Sequence, residues 1–166
     1  MSNQRPVLVI PQSQLLQIIN WGALAGIVAL FGIALHGWLT LPDTIPVHFG
    51  IDGRANGWGS KKVIWLLPIV GLFMYGLLTL INRYPHTFNY VVRITEENAL
   101  RQYQIACSMI VWLKFELVWL FAYIEWQMYN LATTENPTLG IWFGPVSVIL
   151  IFATVAYWLS QSLMAR

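Results

Sequence analysis

Asp43, His48 and Asp52 fall in one polar passage, LPDTIPVHFGIDGRANGWGSKK (41–62), five and four residues apart across turn-forming positions. Two carboxylates and an imidazole are donors that a divalent metal could use. The spacing matches no zinc motif, and neither HExxH nor CxxC occurs in the chain. The plainer chemistry is local: Asp43 and Asp52 cap turns, His48 bonds to backbone, and the expectation is no metal and no cofactor. With Arg54 and Trp58, the same three residues make a candidate partner-binding face.

A second group, Lys114, Glu116 and Glu125, lies inside an apolar run. Charge near a bilayer centre is costly, so such residues face the bundle interior and find partners. At helical spacing Trp112, Glu116, Trp119, Tyr123 and Trp126 share one face, while Lys114 and Glu125 share the opposite one. Lys114 and Glu116 point apart by roughly 160°, so each needs a partner on another helix, another subunit or water. One reading is a proton or ion relay, or a polar cavity. The other is packing, with Lys114 and Glu116 fixing helices through interhelical bonds and Glu125 reaching the outer interface. The tryptophans at 112, 119 and 126 repeat every seven residues, which suits packing, lipid or a partner helix. His36 is expected to bond to the loop, and Cys107 to be a small packing residue.

Catalytic signatures are absent: there is no GxSxG, no histidine lies near Cys107 in sequence, and the loop glycines do not open a helix after a strand. The expectation is a protein that is not an enzyme.

The elements that hold these residues are set by composition. The chain has 166 residues, 57% hydrophobic and only 10% charged, where soluble domains carry about a quarter. The net charge of +2 is small, and the basic residues stand singly or in one pair, which excludes a nucleic-acid partner. One cysteine allows no intrachain disulfide. Four segments are long and apolar enough to cross a bilayer: 15–39, 63–81, 105–129 and 139–159. The first is longer than a signal-peptide core, so it is expected to be an uncleaved helix.

These spans predict an all-α integral membrane protein with four transmembrane helices and an ordered extracytoplasmic loop, 40–62, between helices 1 and 2. Tails at 1–14 and 160–166, a connector at 82–104 and a second outer loop at 130–138 complete the single domain. Within the first loop, Val47–Phe49 suits a short strand, and Ile51-Asp52-Gly53 and Asn56-Gly57 are turn signals. In the connector, Thr95 suits an N-cap with Glu96 and Glu97 in the first turn, so the third helix should start near Thr95 and project as an amphipathic stub. Arg5, Arg83, Arg93, Arg101 and Arg166 flank one side, and Arg54, Lys61 and Lys62 the other. Five against three puts both termini in the cytoplasm and the loop outside.

The loop resembles the signature of bacterial membrane proteins containing domain of unknown function 1648. That module forms the N-terminal part of an immunity-protein family that protects sporulating bacteria from a secreted toxin. The matching residues are Leu41, Pro42, Asp43, Ile45, Pro46, His48, Gly53, Trp58, Ser60 and Lys61. Phe88, Asn89, Tyr90, Thr95, Glu96, Asn98 and Tyr103 resemble a downstream signature of some members, in which Lys114 also looks recurrent. Asn56 stands where these proteins usually have aspartate, and the immunity proteins are longer, with additional helices. The resemblance implies a multi-pass protein of the bacterial plasma (inner) membrane with an ordered outward loop.

Together these readings favour recognition. The protein would sit in the lipid bilayer and bind a protein or peptide partner, join a larger membrane complex, or form a homo-oligomer. The competing reading is a small ion- or proton-coupled transporter using Lys114 and Glu116.

Overall fold

A computed structural model of the chain describes residues 5–133 and 138–166. Among these, four helices are long and apolar enough to cross a membrane: α1 (Gln14–Thr40), α2 (Leu66–Ile81), α3 (Ala99–Leu131) and α4 (Phe143–Met164). A short 3-10 helix, Lys61–Trp65, leads directly into α2. Large apolar side chains stand exposed on every one, including Trp21, Ile69, Trp119 and Phe152, as bilayer helices require because their solvent is hydrocarbon.

The chain is mostly helical, as expected, with one addition in the loop where Val47–Phe49 suits a strand. Between α1 and α2 lies a two-stranded antiparallel sheet, β1 (Thr44–Phe49) and β2 (Ala55–Ser60). Leu41 precedes Pro42 and is extended, so α1 cannot continue. Pro46 fixes an extended φ in β1 and sits opposite Trp58 in a two-stranded sheet, where each strand is an edge.

The bundle is organised around α3. At 33 residues it is roughly 50 Å long, and it packs against each of the other three helices. The α1 face towards it carries small residues. A Cβ added at Gly26 would sit 2.6 Å from Val118 Cγ1, so only glycine allows the observed approach. Trp119 Nε1 donates to the Gly22 carbonyl at 3.1 Å, using the same closeness. Ile27, Leu30, Val118 and Ala122 form one apolar cluster. Ala34, Leu41, Ile45, Ile64 and Met128 form a second beneath the sheet.

The two ends of the bundle are tied differently. At the hairpin end, Leu139 N donates to Gly53 O at 2.7 Å and Arg54 pairs with Thr138. At the other end the Arg5 guanidinium donates to the carbonyls of His86 and Phe88 and lies 5.4 Å from the Tyr90 ring centre. Gln102 binds the last turn of α4 through the carbonyls of Ser162 and Ala165. Arg5, the connector and the end of α4 therefore share one side.

Several boundaries differ from the expected ones. The α4 helix starts at Phe143 rather than 139, because Leu139 is bonded to the hairpin and Gly140 takes φ +82°. It also runs on through most of the expected 160–166 tail. The regular α3 helix starts at Ala99. Thr95 does cap its entry: Thr95 Oγ1 accepts from Asn98 N, and Asn98 Oδ1 accepts from Thr95 N. This reciprocal pair is a capping box with asparagine in the usual glutamate position. The first turns of α3 are not a free stub, since Gln102 and Tyr103 are fully buried. Of the expected outer loop 130–138, residues 134–137 lie outside the described residues, as do 1–4 of the N-terminal tail.

Candidate functional site

The hairpin is built by the residues singled out for chemistry. Asp43 pairs with Lys61 Nζ at 3.2 Å, and its carbonyl accepts from Lys61 N at 2.9 Å. Lys61 Nζ also donates to Leu41 O at 3.3 Å and lies 5.5 Å from the Trp38 ring centre. One lysine thus closes the base of the hairpin onto the end of α1. Asp52 Oδ1 accepts from Arg54 N at 3.1 Å, an Asx turn. The Asp52–Arg54 side-chain pair is longer, at 3.9 Å, and exposed.

Gly53, at φ +75°, makes the turn, and its carbonyl is the group that accepts from Leu139. A Cβ there would collide with the Gly140 backbone, so glycine is needed both for conformation and for approach.

His48 bonds to the Asn56 side chain, Nδ1 to Oδ1, rather than to backbone. The cause is a register change. Pairing runs Pro46 to Trp58, His48 to Gly57 and Phe49 to Ala55, leaving Val47 and Asn56 as bulged residues on either side. Asn56-Gly57 is therefore part of β2 and not a turn. Gly57 is small because a Cβ would sit 2.9 Å from His48 Cβ. Asp43, His48 and Asp52 each engage a different partner, and among the described residues no group of three metal-binding side chains converges. The hairpin leaves a mixed surface exposed: Ile51 is fully exposed and Trp58 about half, at 55%, beside the exposed side chains of Asp43, Asp52 and Arg54.

The intramembrane residues separate by helix face. Lys114 Nζ donates to Thr79 Oγ1 of α2 at 3.0 Å and lies 4.6 Å from the Tyr75 ring centre. Glu116, on the other side of α3, accepts from Thr154 Oγ1 of α4. Each finds a threonine on a different helix, and the two do not meet. The Trp stripe stays half-exposed at Trp119 and Trp126. His36 is not bound to the loop; its Nε2 is 3.0 Å from Tyr129 OH of α3.

Glu125 does not reach an interface. It is fully buried, and among the described residues neither oxygen has a hydrogen-bond partner. It lies between Ala122 and Met128 on the α3 face that carries the two apolar clusters. Its terminal position in the span suggested exposure, while the Lys114–Glu125 face assignment carried the correct signal.

Four spans joined through a hairpin make this a multi-pass membrane protein. The family model described as Domain of unknown function (DUF1648) matches residues 25–72, from the middle of α1 through the hairpin into α2. An "Uncharacterized protein" of Archaeoglobus fulgidus is 34% identical over 74 residues, covering 40% of this chain and 40% of that protein. The chain thus spans about two fifths of the length of the curated relative it matches. No solved structure matches the chain.

Proposed function

We propose that the protein is a non-enzymatic membrane recognition module, whose hairpin binds a protein or peptide partner outside the bacterial plasma membrane. The observation that carries this reading is the division of labour in the hairpin. Internal bonds of Asp43, His48, Asp52 and the Arg54 amide brace it, while Ile51, Trp58 and the Arg54 side chain stand exposed. A small surface of apolar and charged side chains on a braced base loses little entropy on binding. The segment matched by the family model, 25–72, contains this hairpin. The five-to-three excess of basic residues at the connector end supports N-in, C-in.

The test is site-specific photocrosslinking in cells at Ile51, with the probe at Gln14 as the control. A discrete adduct at Ile51, absent at Gln14 and lost in Trp58→Ala, is the expected result. Crosslinks to lipid alone, or an adduct indifferent to Trp58, would reject the reading. Transport through Lys114 and Glu116 is less well supported, because each is bonded to a threonine on a separate helix, an arrangement suited to packing.

A further inference from the structure

Lys114 is a lysine 3% exposed, in the body of a membrane bundle. An ammonium has three N–H donors, and here one is used, towards Thr79. The ion pairs among the described residues are Asp52–Arg54 and Asp43–Lys61, both in the hairpin segment, so Lys114 has no counter-anion within reach. Burying a cation with no anion is strongly unfavourable, and the Tyr75 ring face offsets only part of that cost.

The ammonium does not face a closed wall. It lines an open cavity of about 420 Å³ between α1, α2 and α3, shared with Asn20, Tyr75, Thr79, Asn82 and Arg83. Among the described residues no acidic one lines it. Arg83 is exposed, and no side-chain hydrogen bond or ion pair engages it among the described residues. The Asn82 side-chain oxygen is buried without a partner, and its carboxamide can turn its NH₂ to a ligand instead. The cavity therefore offers a deep ammonium, a guanidinium one residue beyond the Asn82 cap of α2, and amide donors, with charge of one sign only.

We infer that this cavity binds a phosphoryl anion, with Lys114 at its floor and Arg83 at its rim. Several acceptor oxygens on one tetrahedral group suit a point donor and a forked donor approaching from different depths. Arg83 follows the Asn82 cap of α2, and Trp21, which also lines the cavity, is 70% exposed, both features of the membrane–water boundary. Lipid phosphates lie at that level, and basic pockets between helices receive them. A lipid headgroup and free phosphate share this chemistry, and the experiment distinguishes them.

The whole chain is reconstituted in phosphatidylcholine nanodiscs with or without phosphatidylglycerol, and lipid retained after gentle extraction is read by native mass spectrometry. In parallel, thermal unfolding is followed with inorganic phosphate against chloride at matched ionic strength. Retained phosphatidylglycerol, not displaced by phosphate, assigns a headgroup. Stabilisation by phosphate with no lipid preference assigns the free anion. In either case Lys114→Met should weaken binding roughly tenfold or more, the loss of one charged hydrogen bond, while Lys114→Arg keeps most of it. Arg83→Gln, at an exposed position, repeats the test if Lys114→Met fails to fold. No preference for either ligand, or wild-type binding by both Lys114→Met and Arg83→Gln, overturns the inference.

Discussion

Replacing Glu125 with leucine is expected to stabilise this protein. The side chain has no exposed surface, and among the described residues neither oxygen meets a donor. Its neighbours along α3, Ala122 and Met128, belong to the two apolar clusters. A buried polar group left unsatisfied costs about 1–3 kcal/mol. Leucine is close to glutamate in volume, so the exchange removes that cost without opening a sizeable cavity. The net gain should be about 1–4 kcal/mol, the range seen when buried ionic groups give way to well-packed hydrophobic residues. Glu125→Gln keeps the shape but leaves a carboxamide in the same surroundings, so its gain should be well below that of leucine. The assay is unfolding of the purified protein in one detergent, followed by tryptophan fluorescence. A loss of about 1 kcal/mol or more in Glu125→Leu, with Glu125→Gln near neutral, would refute the reasoning, because it would mean that a donor reaches the carboxyl group.

Three further outcomes follow from the packing. Gly26→Ala places a Cβ 2.6 Å from Val118 Cγ1 and should cost about 1–3 kcal/mol by overpacking, read in the same unfolding assay. Gly53→Ala combines φ +75° with a Cβ 2.9 Å from the Gly140 carbonyl carbon; it should cost about 1–2 kcal/mol or more and raise proteolysis at 50–54. Gln102 and Ser162 exchange hydrogen bonds across α3 and α4. A double-mutant cycle of Gln102→Leu and Ser162→Ala should therefore give a coupling of about 0.5–3 kcal/mol, and a value near zero would show that the two helix ends are held by other contacts.

How much of this was legible depends on the range of the interaction. Spans and their order follow from apolar length, which is local, and the extended segment at Pro42–Pro46 follows from proline geometry. The Ile51-Asp52-Gly53 turn is local too, and Gly53 takes the positive φ that turn demands. Asn56-Gly57 misled because the dipeptide reads as a turn, yet the residue opposite decides: His48 occupies the space that a Gly57 side chain would need. The start of α4 was hidden because it is set by a bond from Leu139 to Gly53, far away in the sequence. Gln102 drew no notice, since only the folded chain brings it against the last carbonyls of α4.

The two charges on one face of α3 then have different fates, and neighbouring helices decide which. At Lys114 the facing positions on α2 are Tyr75 and Thr79, a ring and a hydroxyl, and the gap towards α1 stays open beside Asn20. At Glu125, three turns further on, the α3 neighbours Ala122 and Met128 belong to the apolar clusters, and among the described residues neither carboxyl oxygen meets a donor. Small residues on α1, Gly22 and Gly26, let α3 approach closely. A cation at an open site invites a ligand from outside the chain, whereas an acid at a closed one burdens the fold. If Lys114→Met stabilised the protein as Glu125→Leu is expected to, without loss of any bound anion, both charges would belong to the second kind, and α3 would be a packing helix along its whole length.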